Sequence, residues 1–272
     1  MSSAAPTKRD QAPNTLPHGK GLLNWLSPLV SSTVGMKIIV ALTGIGLIGF
    51  VIGHMIGHLK MFAGQEAYNN YAKFLKDLGP LLWIARGGLL AIFVIHILLT
   101  LRLRARAKAA RPVNYLYVQT VQASPASRFM MYAGLAILAF VIFHIAHFTL
   151  GYLVGAQALD RSTGKYVLAN YLDLRDAAGR HDVYSAMISG LSNPILAIIY
   201  LAAMGMLFMH LTHGSFSLFQ TLGLNTPRTD RFLKIAARLL AIVVTLGYSL
   251  VVIAVWSGWL KPAATFLAVS ND

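Results

Sequence analysis

Charge is absent from long stretches of this chain, and that spacing limits what it can fold into more than any other feature. Residues 38–59 lie uncharged between Lys37 and Lys60, 129–159 between Arg128 and Asp160, and 239–260 between Arg238 and Lys261. Residues 183–227 are also charge-free and hold one further span, expected at about 193–214. Residues 78–101 are apolar apart from Arg86; the strictly uncharged part, 87–101, is too short, so this helix is expected to begin near Pro80 and to carry Arg86 inside it. A helix needs roughly 20 apolar residues to cross a hydrocarbon core of about 30 Å. The pattern predicts an all-α, polytopic bundle of five transmembrane helices over residues 34–262. It is flanked by a polar N-terminal tail (1–33) and a short C-terminal tail (263–272).

Composition agrees. Hydrophobic residues make up 56% of the 272, charged residues only 12%, and the mean hydropathy is +0.62; an average soluble domain is about 25% charged. With no cysteine, a disulfide framework, a thiolate metal site and a covalently attached c-type haem are all excluded. The net charge of +14 does not point to nucleic acid, because basic loops on one side of a membrane explain it. Lys8, Arg9, Lys20 and Lys37 precede the first span. Arg102, Arg104, Arg106, Lys108, Arg111 and Arg128 lie between the second and third. Arg228, Arg231, Lys234 and Arg238 lie between the fourth and fifth. These fourteen of the 23 cations fall on one face together with only two acids, Asp10 and Asp230. The positive-inside bias therefore predicts a multi-pass membrane protein, N-terminus in the cytoplasm and C-terminus outside. Residues 1–33 lack the short apolar core of a signal peptide and are expected to remain as a cytoplasmic tail. The connection 151–192 is expected outside, with a short surface helix over 182–190.

Ionisable side chains inside a membrane are rare and usually functional. His54 and His58 fall in the first span, His96 in the second, His144 and His147 in the third, and His210 and His213 in the fourth. His54 is residue 17 of its span, His96 residue 17 counted from Pro80, His144 residue 16 counted from Phe129, and His210 residue 18 counted from Asn193. Each lies about three-quarters along its own helix. Alternating helix direction then pairs His54 with His144 near the outer face and His96 with His210 near the cytoplasmic face. At 1.5 Å per residue the two levels are about 15 Å apart. Two imidazoles at one depth can supply both axial ligands of a b-type haem, leaving no position open for oxygen. A proton relay or a zinc or copper cluster does not require two matched pairs at two depths. The spacing also differs from cytochromes that suspend both haems between the same two helices.

Several residues carry two readings at this point. His58, His147 and His213 point the same way as their neighbouring histidines; they serve either as interfacial packing or as partners of a haem propionate or quinone oxygen. Arg86 lies ten residues before His96, about 15 Å, and either pairs a propionate or snorkels to the interface. Gly44, Gly46, Gly49, Gly53 and Gly57 either allow close helix packing or let a flat cofactor lie on the backbone.

The segments GMKIIVALTGIGLIGFVIGHMIGHLKMF, FHIAHFT, HDVYSAMISGLSNP and HLTHGSFSLFQTLGL resemble the single-chain, five-helix di-haem cytochrome b anchors of succinate:quinone oxidoreductases, the succinate dehydrogenases and fumarate reductases. The resemblance covers about residues 34–260. It implies two haem b, the distal one held by His54 and His144 and the proximal one by His96 and His210. It also implies a flavoprotein subunit and an iron–sulfur subunit docked on the cytoplasmic face, and menaquinone or ubiquinone as the lipid-soluble partner. No dicarboxylate chemistry is expected on this chain. A cytochrome b of a hydrogenase or formate dehydrogenase shares haem and quinone but not these segments. A proton-coupled transporter is disfavoured by the absence of Asp or Glu inside a span and by a fifth span read as lacking polar residues at depth. The family is known for a quinone site near the distal haem, with an acidic residue beside it. Glu66 is the candidate catalytic carboxylate here, with Gln65, Tyr68, His58 and His147 nearby in sequence or depth. The rival quinone site gathers Ser31, Ser32, Lys37, His213, Ser217 and Gln220 at the cytoplasmic end.

Overall fold

The computed structural model describes residues 29–111, 113, 120, 123–151, 155–160, 164–261 and 268–269. The expected tails 1–33 and 263–272 lie largely outside them. Five helices are long and apolar enough to cross a membrane. They are α1 (Thr33–Leu59), running on as a 3-10 turn (Lys60–Ala63), α3 (Pro80–Ala109), α4 (Pro125–His144), continued by a π turn (Ile145–Thr149), α6 (Pro194–Thr221) and α7 (Asp230–Trp256). Two shorter helices intervene, α2 (Gln65–Asp77) and α5 (Val183–Ser192).

The helix starts follow from local chemistry. Proline opens α3, α4 and α6, where its missing N–H costs nothing. Ser32, Ser124, Asp182 and Asn193 cap α1, α4, α5 and α6 with a side-chain oxygen on a first-turn N–H. The third span is shorter than the charge-free run suggests. It stops at Thr149, Gly151 turns with φ of 66°, and Ala156–Asp160 is already extended. The segment after the first span, expected as a loop, is the amphipathic helix α2, which buries Tyr68 and Asn69 while Phe74 stays 60% exposed. The short surface helix expected over 182–190 is α5, but it is not a surface helix: it buries Tyr184, Met187, Ile188 and Leu191 against the bundle, where its apolar residues pack on α6 and α7.

In the bundle α6 and α7 make the most extensive helix contact; α1 packs on α3, α6 and α7, and α4 packs on α6. Among the described residues, backbone packing between α1 and α4 and between α3 and α6 is weak at most. None of the residues of α3 is buried, and its Leu81, Trp83, Ile84, Leu90 and Leu98 stand exposed. An apolar helix with such a surface is compatible with lipid around it. One end of the bundle is capped: α2 packs on α5, and α5 packs on α6, α7 and the π turn of α4. A small sheet completes this end. Its strands are β1 (Ala156–Asp160), β2 (Tyr166–Ala169), β3 (Leu174–Arg175) and β4 (Ala268–Val269), in the order β2-β1-β4-β3. β4 runs parallel to β1 and antiparallel to β3, which puts Ala268 and Val269 at the capped end. The opposite, bare end carries the cations Arg102, Arg104, Arg106, Lys108, Arg228, Arg231 and Lys234.

A buried polar knot ties the cap together. Asn69, wholly buried, donates to Asp182 (2.9 Å) and Asp176 (3.2 Å) and accepts from the Tyr184 N–H (3.0 Å). Gln65 donates to Asp182 (2.8 Å), and Arg180 reaches Asp176 through Nε (2.7 Å). Burial pushes the Asp176 carboxyl up, but the Arg180 backbone N–H, the guanidinium and the Asn69 amide outweigh it and hold the group below the usual carboxylate range. Its contribution to stability is therefore complete above the unfolded pKa of about 3.9 and is lost as pH falls through the lowered folded value. Burial holds His181 of the same segment at about 4, so limited proteolysis across 170–182 should rise already as pH falls from about 6.5 to 4, with a further acceleration below about 4 as Asp176 protonates. Asp176→Asn should raise cleavage already at neutral pH and flatten the acid step.

Candidate functional site

Seven histidines lie on α1, α3, α4 with its π turn, and α6, and their positions divide into two levels. At the capped end, the rings of His54 (α1) and His144 (α4) lie 5.9 Å apart and nearly perpendicular, at 87°. Two imidazoles sharing one metal ion at bonds of about 2 Å would stand about 6 Å apart. At the bare end, His96 (α3) lies within electrostatic reach of His210 (α6). Three helices give the spacing between the levels. Thr43, which bonds His96, and His54 are eleven residues apart on α1, about 16 Å at 1.5 Å per residue. Gly134, which faces the His210 ring, precedes His144 by ten residues on α4. On α6, Tyr200, which bonds His144, precedes His210 by ten, about 15 Å.

Hydrogen bonding fixes tautomers at one histidine of each level. Tyr248 on α7 donates its only hydroxyl proton to the Val51 carbonyl (2.7 Å), so its oxygen accepts from Nδ1–H of His54 (3.0 Å). Nε2 of neutral His54 is then a bare lone pair. The same logic holds at the other level. Thr43 donates to the Ile39 carbonyl (2.8 Å) and accepts from Nδ1–H of His96 (3.1 Å), which bares Nε2 of His96. Metal-bound histidines are oriented in this way by the partner of their second nitrogen.

The network at the capped end continues outward. Since Nε2 of His54 is an acceptor, Nε2–H of His58 donates to it (3.2 Å), and Nδ1 of His58 accepts from the Tyr68 hydroxyl (2.7 Å). Across the gap, one hydroxyl, that of Tyr200, serves Nδ1 of both His144 (3.2 Å) and His147 (3.0 Å). His147 sits on the π turn, a feature that often marks functional positions, and is wholly buried with Nε2 unpartnered. Gly190 of α5 admits this arrangement, since a Cβ there would strike the Phe148 ring at 2.7 Å and His147 at 3.1 Å.

The donors that face each other across the bundle are imidazoles, His54 with His144 at the capped end and His96 with His210 at the bare end. Among the described residues no three His, Cys, Asp or Glu are arranged to hold a metal ion. A metal that brings four ligands of its own and needs only two axial nitrogens fits. The helices that carry each pair make at most a weak backbone contact, and a Cβ at the exposed Gly49 or Gly53, beside His54, would meet nothing within 4 Å. Helix packing therefore does not explain those two glycines, whereas Gly57 of the same stripe is held against Tyr71 of α2. Gly44 and Gly46 face His96 and Ile92 of α3. Nδ1 of His210 is buried without a hydrogen bond of ordinary geometry.

The remaining candidates are placed as follows. Arg86 is exposed on α3 with its guanidinium over the Trp83 ring, 5.0 Å from the centroid. Glu66 is exposed on the first turn of α2. Gln65 is committed to Asp182 and Tyr68 to His58. At the bare end the Ser32 hydroxyl caps Gly35 (2.9 Å), the Ser31 carbonyl accepts from Arg106 (2.7 Å), and His213 lies within electrostatic reach of His210. One expectation needs correction: the fifth span is not without polar groups at depth, because Tyr248 and the buried Thr245 lie on α7. Tyr200, Tyr248 and Thr43 were not singled out from the sequence. The available signal was a tyrosine hydroxyl inside an apolar span, which must find a partner.

Comparison with protein-family models, curated proteins and solved structures returns no match.

Tyr200→Phe removes the partner of two imidazole nitrogens and Tyr248→Phe of one. An unsatisfied buried polar atom costs about 1–3 kcal/mol. Thermal unfolding of the purified chain should therefore show a larger loss of Tm for Tyr200→Phe than for Tyr248→Phe. The reverse order would contradict the shared-hydroxyl geometry.

Proposed function

We propose that this chain is the membrane anchor and electron-transfer subunit of a succinate dehydrogenase or fumarate reductase. In this reading His54 and His144 hold one haem b and His96 and His210 a second. The observation that carries it is the pair of imidazole levels, about 15 Å apart, each with one histidine whose proton is held on Nδ1 by a hydroxyl, which leaves the Nε2 lone pair to accept; on His54 that lone pair takes a hydrogen bond from His58, which iron would displace. Bis-histidine haem iron supplies reversible one-electron transfer without an open position for oxygen. Tyr248 and Thr43 hold the ligand nitrogens in the tautomer that binds iron, and the apolar faces of the bundle keep water from them. The sequence resemblance supplies the rest: electrons pass between an iron–sulfur subunit, itself fed by a flavoprotein, and menaquinone or ubiquinone in the membrane.

The cations of the bare end favour a cytoplasmic placement of that end, where the iron–sulfur subunit docks; the capped end and the C-terminus then face outward. At the capped end, Tyr68 and His58 form a hydrogen-bonded line leading to His54, and Glu66 stands exposed beside it. We place the quinone there, with the Glu66 carboxylate exchanging protons with the outer aqueous phase. Commitment of Ser32 to its helix cap weakens the rival site at the bare end.

The test is redox titration of the complete membrane complex, read with succinate–quinone turnover. His54→Ala and His144→Ala should each abolish the same redox component. His96→Ala and His210→Ala should each abolish the other, and all four should abolish turnover. Loss of one shared component in His54→Ala and His96→Ala would break the pairing.

A further inference from the structure

The capped end carries a cluster of cations that the electron-transfer reading does not use. A cleft of about 390 Å³ lies between α2 and the turn that follows β3, lined by Lys73, Lys76, Arg175, Arg180 and His181 with Asp77. Two of these cations are matched: Lys73 pairs with Asp77, and Arg180 with the buried Asp176 at 2.7 Å. Lys76 and Arg175 have no carboxylate partner among the described residues; Arg175 donates only to the Leu172 (2.8 Å) and Leu174 (3.1 Å) carbonyls. Partial burial, then the charges of Arg175 and Arg86, push the Lys76 ammonium below its usual range. His181 donates Nε2–H to the Tyr171 carbonyl (3.0 Å), and burial followed by Lys76 lowers its pKa to about 4. Close, uncompensated positive charge of this kind is unfavourable unless an anion joins it.

The surroundings say which anion. Lys76 lies four residues before Pro80, where the apolar helix α3 begins. Beside it Phe74 is 60% exposed, and Leu81, Trp83 and Ile84 are 57%, 69% and 71% exposed. Arg86 lies over Trp83. Aromatic side chains next to cations at a helix end mark the level of the lipid headgroups. The cleft therefore has cations on one side and an acyl-compatible surface on the other.

We propose that the cleft bounded by Lys76 and Arg175 binds the phosphate of an anionic phospholipid headgroup, whose acyl chains lie along the exposed start of α3. Lys76 supplies a point charge, and Arg175 a planar donor that suits a phosphodiester. The lipid neutralises the cluster and fastens the cap to its leaflet.

The full chain is purified in detergent and titrated, by native mass spectrometry, with phosphatidylglycerol, with phosphatidylcholine and with inorganic phosphate as competitor. Phosphatidylglycerol should bind more tightly than phosphatidylcholine and be displaced by inorganic phosphate. Each cation contributes about fivefold to anionic-lipid affinity, so the double variant Lys76→Gln/Arg175→Gln should weaken phosphatidylglycerol about 25-fold. Phosphatidylcholine binding should not change. Lys76→Arg/Arg175→Lys, which keeps the charge, should bind within a few-fold of the parent, separating charge from folding. Lys234→Gln/Arg238→Gln, at the bare end, should leave binding unaltered. Equal affinity for the two lipids in the parent chain would overturn the proposal. So would undiminished phosphatidylglycerol binding in the Gln double variant. Phosphate binding that depends on Lys76 and Arg175 without any preference for phosphatidylglycerol would assign the cleft to free phosphate and reject the lipid.

Discussion

An imidazole buried among apolar helices has one proton to place when neutral, and where that proton goes decides what the other nitrogen can do. In this bundle two hydroxyls settle the matter. The Tyr248 and Thr43 protons are held by backbone carbonyls of α1, so both oxygens can only accept, and His54 and His96 turn Nδ1–H toward them. Each is left with an Nε2 lone pair, which on His54 accepts from His58. The chain thus prepares, at two depths, a nitrogen that can bind a metal. It does so with hydrogen bonds that also satisfy polar groups which water does not reach.

The helix packing serves the same end. α1 contacts α3, and α4 contacts α6, yet the histidines face each other across the other two interfaces, where backbone contact is weak at most. Gly49 and Gly53 remove side chains from α1 beside His54 without any neighbour that needs the room. At the capped end the demands are opposite. Gly190 brings α5 hard against Phe148 and His147, and the Asn69–Asp182–Asp176 knot holds α2 and α5 together.

Much of this was legible in the sequence. Charge spacing located five spanning helices, including the start of α3 at Pro80, and the positions of the histidines along alternating helices gave two levels about 15 Å apart. These features are periodic or one-dimensional, and so survive without knowledge of side-chain contacts. What stayed hidden depends on long-range partners. Tyr248 is 194 residues from His54 and Tyr200 is 56 from His144. The polar partners of α2 lie more than a hundred residues away, at Asp176 and Asp182, so residues 65–77 read locally as a polar loop. The charge-free run after Arg128 could not reveal where α4 stops, because the π turn and the turn at Gly151 interrupt it without introducing a charge.

The central claim is that the two imidazole levels each hold one haem b, and the most direct measurement is the haem content of the purified chain. The reduced-minus-oxidised optical spectrum should show sharp α-bands of bis-histidine haem b, and extraction should recover two haems per chain. A chain purified with its fold intact and no haem loss, yet colourless, or one holding a single haem that survives substitution of His54 and of His96 alike, would contradict the account.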